Sequence, residues 1–291
     1  MTRIIERLSD IATQYDTLYC DLWGCLHDGL EPFPAAVAAL QAFRGGGGRV
    51  VLMTNAPRPA PGVLRRLDDM GVPRDAYDLV VSSGDAAQAA MLRGAAGKRV
   101  YHIGPPKDED FFTTLPDDMS DAAPVERVAL GEAEGIVCTG PVDEDTDTPR
   151  DYRATLLNAK TRRLKLLCAN PDIVVDYGDR RVYCAGAIAA LYDEMGGESL
   201  YFGKPHPPIY DRARIKLAAQ GAGDPGRVLA IGDGIATDIR GARLEDVDSV
   251  FISGGIAAAE TGTEHQPDPD KLRSYVEGAG EVPTFAMGFL R

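Results

Sequence analysis

At 291 residues the chain exceeds the usual size of one domain, and two unequal ones are expected. A hydrophobic fraction of 44% beside a charged fraction of 26% gives enough apolar material for a core and excludes a disordered chain. Lys and Arg number 31 against 44 Asp and Glu, and the resulting net charge of −13 repels polyphosphate backbones and anionic membranes, so nucleic acid and lipid surfaces are set aside as partners.

A small phosphorylated metabolite is not excluded by that charge, because a bound cation reverses the field locally. The stretch from Met1 to Asp16 carries apolar residues at helical spacing, interrupted by Arg, Glu and Asp, and does not read as a signal peptide. No apolar run reaches the roughly 18 residues of a membrane span, so a soluble, cytoplasmic protein is expected. The five cysteines, Cys20, Cys25, Cys138, Cys168 and Cys184, show no zinc-type spacing. All but Cys25 lie in or beside apolar, strand-like runs and read as small buried hydrophobes.

In chain order, short β-rich runs alternate with helical stretches, the pattern of a parallel sheet with crossover helices. Strands are expected at Thr17–Asp21, Arg49–Thr54, Leu79–Ser82, Leu200–Phe202, Arg227–Ile231 and Ser249–Ile252. Helices are expected near Ala35–Phe43, Gly62–Met70, Ile209–Gln220 and Ala236–Leu244. The four glycines Gly45–Gly48 follow a helix and precede a strand, and are read as a helix cap rather than a phosphate loop. From Gly84 to about Tyr183 the pattern changes: strands at Arg99–Ile103, Val125–Ala129, Gly135–Thr139 and Lys165–Ala169 are separated by acidic, proline-containing loops. If this smaller α/β unit, 84–184, is inserted into the first fold, residues 1–83 and 185–291 complete one Rossmann-like α/β core, restarted by a helix at Ala187–Met195; periodicity alone does not establish the insertion.

Ligands of open α/β sheets bind at the carboxyl ends of the strands, so polar residues that follow apolar runs carry the functional signal. Thr17-Leu-Tyr-Cys-Asp21 ends in a carboxylate, and Val50-Val-Leu-Met-Thr54-Asn55 in a hydroxyl and an amide. Gly203-Lys204-Pro205 holds an ammonium in a stiff turn, with His206 beside it. Gly232-Asp233-Gly234-Ile-Ala-Thr-Asp238 sets two carboxylates five positions apart across a glycine turn. Acids this close repel, a divalent cation relieves them, and oxygen donors favour Mg²⁺.

The set, in this order, resembles the four motifs of the haloacid dehalogenase-like (HAD) hydrolase superfamily. Cys168-Ala-Asn170-Pro171-Asp172 is similar to the Asn-Pro-Asp loop of its subclass IIA, the NagD-like and nitrophenylphosphatase-like group, whose type-II cap has about the length of 84–184. The resemblance implies the HAD fold and a Mg²⁺-dependent phosphatase of small phosphomonoesters, such as sugar phosphates. In it Asp21 is the nucleophile, Thr54 and Asn55 hold phosphate oxygens, and Lys204 neutralises charge. Asp21, the Trp23 carbonyl, Asp233 and Asp238 serve the metal, while Asn170, Pro171 and Asp172 face the leaving group. Proteins of that subclass often dimerise through the cap, which makes a homodimer one expectation while the sequence leaves the oligomeric state open.

One position departs from the family pattern. Superfamily phosphatases usually carry Asp-x-Asp at the first motif, the second acid protonating the leaving group, and here that position is Trp23, which has no titratable carboxyl. His27 and Asp28, a few residues on, are the candidate substitutes. A catalytically weak or inactive phosphometabolite-binding protein is therefore the alternative, and 2-haloacid dehalogenation a minor one. A dinucleotide-binding oxidoreductase fits poorly, since the third glycine of its fingerprint would fall at Thr237.

Overall fold

The computed structural model describes residues 2–177, 180–221 and 223–291. Its strands are β1 (Arg3–Ile4), β2 (Thr17–Cys20), β3 (Arg49–Thr54), β4 (Leu79–Ser82), β5 (Arg99–Ile103), β6 (Glu126–Arg127), β7 (Gly135–Cys138), β8 (Lys165–Cys168), β9 (Val174–Tyr177), β10 (Arg180–Tyr183), β11 (Glu198–Tyr201), β12 (Val228–Gly232), β13 (Asp248–Ile252) and β14 (Phe285–Met287). The chain divides into two compact units. The first comprises Met1–Thr54, Leu64–Val81 and Tyr210–Arg291, the second Asn55–Val63 and Ser82–Ile209.

The first unit is built on a seven-stranded sheet in the order β1-β14-β13-β12-β2-β3-β4. β2 pairs in parallel with β3 on one side and with β12 on the other. Chain order runs one way from β2 through β3 to β4 and the opposite way from β12 through β13 to β14, so strand order reverses between β2 and β12. That is the topological switch point of an open α/β sheet, where the crevice for a ligand opens beyond the carboxyl ends of the strands. The strands are continuous apolar runs because both faces are covered: all of β2 and β4, and β3 beyond Arg49, are buried. A helix over Pro34–Gly45 connects β2 to β3, and its end is closed by Gly46, Gly47 and Gly48, whose N–H groups return to Ala42, Arg44 and Phe43. Gly47 takes φ +92°, a left-handed turn that glycine adopts without strain. The glycine run is the expected cap.

The second unit carries the parallel sheet β11-β8-β7-β5-β6. Side chains alternate between its two faces. Ile136, Cys138, Leu166 and Cys168 pack with Ile188, Ala189 and Tyr192 of the helix Ala185–Glu194. Val137 and Leu167 pack on the other face with Ala87, Met91 and Leu92 of the helix Ser83–Leu92. Burial on this scale contributes about 25 cal/mol per Å² of apolar surface and makes each strand's register a packing decision. The sequence placed the strand near Leu200 and the helix at Ala187–Met195 with the first sheet. Instead β11 pairs with β8, Glu198 against Lys165 through Tyr201 against Cys168, and the helix covers that same sheet. The physical reason is a long-range register that local periodicity does not encode. β9 and β10 form an antiparallel hairpin that the sequence did not suggest. Among the described residues no helix is long and apolar enough to cross a membrane.

Candidate active site

Asp21 follows the last residue of β2, and its N–H donates to Ile231 O at 2.8 Å, which places it beside the Gly232-Asp233 end of β12. The parallel register, Cys20 opposite Ile231, therefore delivers the two acids to the same side of the switch point. Both are almost fully buried. The chain then turns sharply: Leu26 and His27 N–H groups donate to Leu22 O, at 2.8 and 3.1 Å, around Gly24 at φ +69°. This turn carries Cys25 back to the acids. Its sulfur and one carboxylate oxygen each from Asp21 and Asp233 all lie within 4.8 Å of one another.

Two glycines make room for this cluster. A Cβ on Gly24 or on Gly255 would come to 2.1 Å from Asp233 Oδ2, so neither position tolerates a side chain while the carboxylate holds its place. Ile256 N–H donates to the same oxygen at 3.1 Å. Asp238 stands behind: its Oδ2 accepts from Gly234 N–H at 3.2 Å and Thr237 Oγ1 at 3.3 Å, closing the turn at the head of the π-helical stretch Ile235–Ile239. Thr54, the last residue of β3, is buried.

Two buried carboxylates side by side are costly unless a cation compensates them. The donor set of two carboxylates and a thiol fits a divalent metal. Burial, followed by the Asp233 and Asp21 charges, pushes the Cys25 thiol far above its ordinary range, so the sulfur is protonated at neutral pH and the carboxylate oxygens are the anionic donors.

The loop after Asp21 supplies no carboxylic acid at the expected place. The half-buried Trp23 lays its ring on Gly29, where a Cβ would sit 2.2 Å from Trp23 Cη2, and meets the His27 ring edge-on at 5.4 Å. Asp28 is exposed and accepts from the Glu31 and Leu30 N–H groups, both at 2.8 Å, which hold its carboxyl below the usual range. It is occupied as a turn residue. His27 is buried, its Nδ1 accepts from Gly29 N–H at 3.0 Å, and burial, reinforced by Arg66, pushes its pKa down to about 4. It is neutral at neutral pH.

In the second unit Asn55, Lys204, Asn170, Pro171 and Asp172 form one cluster. Asn55 Oδ1 accepts from Lys204 N–H at 2.7 Å, while its Nδ2 donates to Lys204 O at 3.1 Å and to Asp172 Oδ1 at 2.8 Å. Asn170 Oδ1 accepts from Asp172 N–H at 2.9 Å. A Cβ on Gly203 would meet both Asn55 Oδ1, at 2.5 Å, and Pro171 Cδ, at 2.6 Å, so the Asn-Pro-Asp loop packs directly on the lysine turn. His206 stacks on Tyr201 at 5.1 Å. His102 packs edge-on against Phe112 at 4.8 Å and its Nε2 lies 3.0 Å from Thr139 Oγ1, as a structural residue would.

Sequence reasoning missed Cys25 and the glycines that flank Asp233. The available signals were the position of Cys25, the one cysteine outside a strand-like run, and Gly254-Gly255 just beyond an apolar strand. All five cysteines are buried, and none of them forms a disulfide.

Two family models match the chain: haloacid dehalogenase-like hydrolase over residues 18–115, and HAD-hydrolase-like over 201–279. A crystal structure of a haloacid dehalogenase-like family hydrolase from Brucella suis is 40% identical, covers 99% of this chain and 100% of that one, and superposes with a TM-score of 0.83. The chain belongs to the haloacid dehalogenase-like hydrolase family. As a HAD hydrolase it is an enzyme, and several of the proteins it resembles are phosphatases. D-glycerol 3-phosphate phosphatase of Mycobacterium tuberculosis is 24% identical over 265 residues, 89% of this chain and 69% of that protein. The same fold is seen in a glycerol phosphate phosphatase from that organism solved with magnesium (22% identity, 95% and 76% coverage, TM-score 0.66). It recurs in a 4-nitrophenylphosphatase from Thermotoga maritima (22% identity, 95% coverage of each chain, TM-score 0.68).

Proposed function

We propose that this HAD hydrolase is a Mg²⁺-dependent phosphatase of a small phosphorylated metabolite, and that Asp21 is its nucleophile. The observation that carries the reading is the buried Asp21–Asp233 pair at the switch point, whose oxygens lie within 4.8 Å of each other. An Asp21 oxygen attacks phosphorus as the ester oxygen departs, giving an aspartyl-phosphate that water then hydrolyses, which divides one difficult displacement into two. Mg²⁺, held by Asp21, Asp233 and the Trp23 carbonyl with Asp238 behind, would offset charge on the phosphoryl oxygens. By family resemblance Thr54 and Asn55 hold phosphate oxygens, Lys204 neutralises charge, and Asn170, Pro171 and Asp172 influence the choice of leaving group.

With an indole at position 23, a turn-bound Asp28 and a neutral His27, no carboxylic acid of the Asp21–Glu31 loop is poised to protonate the leaving oxygen. The proton then comes from water, and esters of acidic alcohols such as nitrophenyl phosphate are the better substrates. The same observation favours a second reading, a phosphometabolite-binding protein with little turnover. Phosphate release from nitrophenyl phosphate and small sugar phosphates, measured with and without Mg²⁺, tests the reading. Asp21→Asn is expected to abolish Mg²⁺-dependent release, and equal rates in the variant refute it.

A further inference from the structure

We infer that Cys25 converts the Asp21–Asp233 pair into a three-donor site for thiophilic divalent cations, Zn²⁺ and Cd²⁺, which occupy the Mg²⁺ position and so inhibit the enzyme. The inference rests on the same acid pair as the phosphatase reading, but on a different atom, the Cys25 sulfur.

The geometry suits one ion. Zinc binds sulfur at ~2.3 Å and carboxylate oxygen at ~2.0–2.2 Å, which at tetrahedral angles sets donor atoms ~3.3–3.6 Å apart. The three atoms here lie within 4.8 Å of one another, so a small adjustment closes them on one ion. Three protein donors leave the fourth position to water or phosphate. The sulfur is also held in place. Cys25 is 1% exposed, its turn is fixed by the Leu26 and His27 hydrogen bonds to Leu22 O, and Gly24 sits tight against Asp233. Cys20 does not compete, since its sulfur lies 3.2 Å from the Asp21 carbonyl oxygen and is taken up by the backbone.

Donor chemistry then divides the cations. Mg²⁺ takes hard oxygen ligands and retains water, so it gains nothing from a sulfur. Zn²⁺ and Cd²⁺ gain most of their selectivity from soft donors of this kind. On binding, the Sγ–H bond gives way to a metal–sulfur bond and the proton passes to solvent.

The test uses the full chain after chelation, titrated with Cd²⁺ and Zn²⁺. In the wild type a sulfur-to-cadmium charge-transfer absorption is expected to saturate at one ion per chain. In Cys25→Ser it is expected to disappear, with Cd²⁺ binding weakened on the order of 100-fold. Zinc X-ray absorption on the wild type gives a second reading independent of the variant's folding, with one sulfur expected at ~2.3 Å. Cys20→Ser is expected to keep the band. A band that survives Cys25→Ser, unchanged Cd²⁺ affinity, or an all-oxygen zinc shell overturns the inference. Mg²⁺-dependent phosphate release by the wild type is scored separately, so that loss of the phosphatase reading and loss of the thiol site give different results.

Discussion

Asn55 offers the sharpest test of how the lysine turn is held. Its side chain is 5% exposed and grips Lys204, itself 3% exposed, at both backbone polar groups, 2.7 Å from N–H to Oδ1 and 3.1 Å from Nδ2 to O. Its third bond, 2.8 Å to Asp172 Oδ1, anchors the amide to the Asn-Pro-Asp loop. Asn55→Ala leaves the Lys204 N–H and carbonyl buried without this partner. Each orphaned group costs ~1–3 kcal/mol, so ~2–6 kcal/mol acts to displace the turn. Asp172 is half-buried and is partly recovered by water. If Lys204 serves the phosphoryl group, kcat/KM falls by ~10²-fold or more, each decade corresponding to ~1.4 kcal/mol. Asn55→Asp discriminates further. It keeps the acceptor for Lys204 N–H but turns an oxygen toward Lys204 O and Asp172 Oδ1, setting acceptor against acceptor, and is expected to be worse than alanine despite its nearly identical shape. Steady-state phosphate release with thermal unfolding measures both variants. A double-mutant cycle with Lys204→Ala is expected to be strongly non-additive, as for residues in contact. Wild-type activity in Asn55→Asp, or losses that multiply in full, would refute the reasoning.

Two further outcomes are expected. Trp23→Asp restores a titratable group at the first motif and is expected to raise turnover of alkyl phosphates by ~10²–10⁴-fold, while unchanged rates would show that the indole is not what limits the chemistry. His102 is pushed down to about 4, chiefly by burial and then by Arg127, against an ordinary value of 6.5. The unfolded chain therefore takes up its proton as pH falls through 6.5, whereas the folded one waits until about 4. Stability is full above that window and declines across it by up to ~1.4 kcal/mol per pH unit. His102→Gln removes this component. Its denaturant midpoint is expected to improve relative to the wild type between about pH 7.5 and pH 5, and parallel curves would contradict the burial effect.

Part of the fold around the candidate site was legible because its polar residues stand at the ends of buried runs. β3, β4 and β5 were read from sequence to the residue: β4, and β3 beyond Arg49, are buried and appear as apolar runs, whereas β5, exposed at Arg99 and half-buried at Tyr101 and His102, was marked by its β-rich residues. The acids at Asp21 and Asp233 followed from the rule that ligands gather at carboxyl ends, and the structure brings those two together. β11 and the helix Ala185–Glu194 were assigned to the wrong sheet because pairing partners distant in sequence leave no periodic trace. The hairpin β9–β10, with Asp176, Arg180 and Arg181 in its strands, offered no apolar alternation to recognise. The work of Asn55 was hidden as well. An amide that holds a distant backbone on two sides has the same sequence signature as one that starts a loop.

The loop that replaces the second acid is a packed unit, and this bears on what substitution at Trp23 can achieve. Its ring rests on Gly29, which takes φ +92°, and Gly29 O accepts from Arg66 Nη2 at 2.7 Å, so the indole, the glycine and the arginine support one another. His27 is buried beneath the same ring. Asp at position 23 removes the ring, opens His27 to water and lets its pKa return toward the ordinary value. Because Trp23 is half-buried, the loss of packing should fall below the ~3–5 kcal/mol of a fully buried tryptophan. Trp23→Asp is thus expected to gain rate and lose stability together. The return of His27 to ordinary titration, visible as a new ionisation near neutral pH in the pH–rate profile, separates loop opening from the gain of an acid: Trp23→Ala would show that ionisation without the rate.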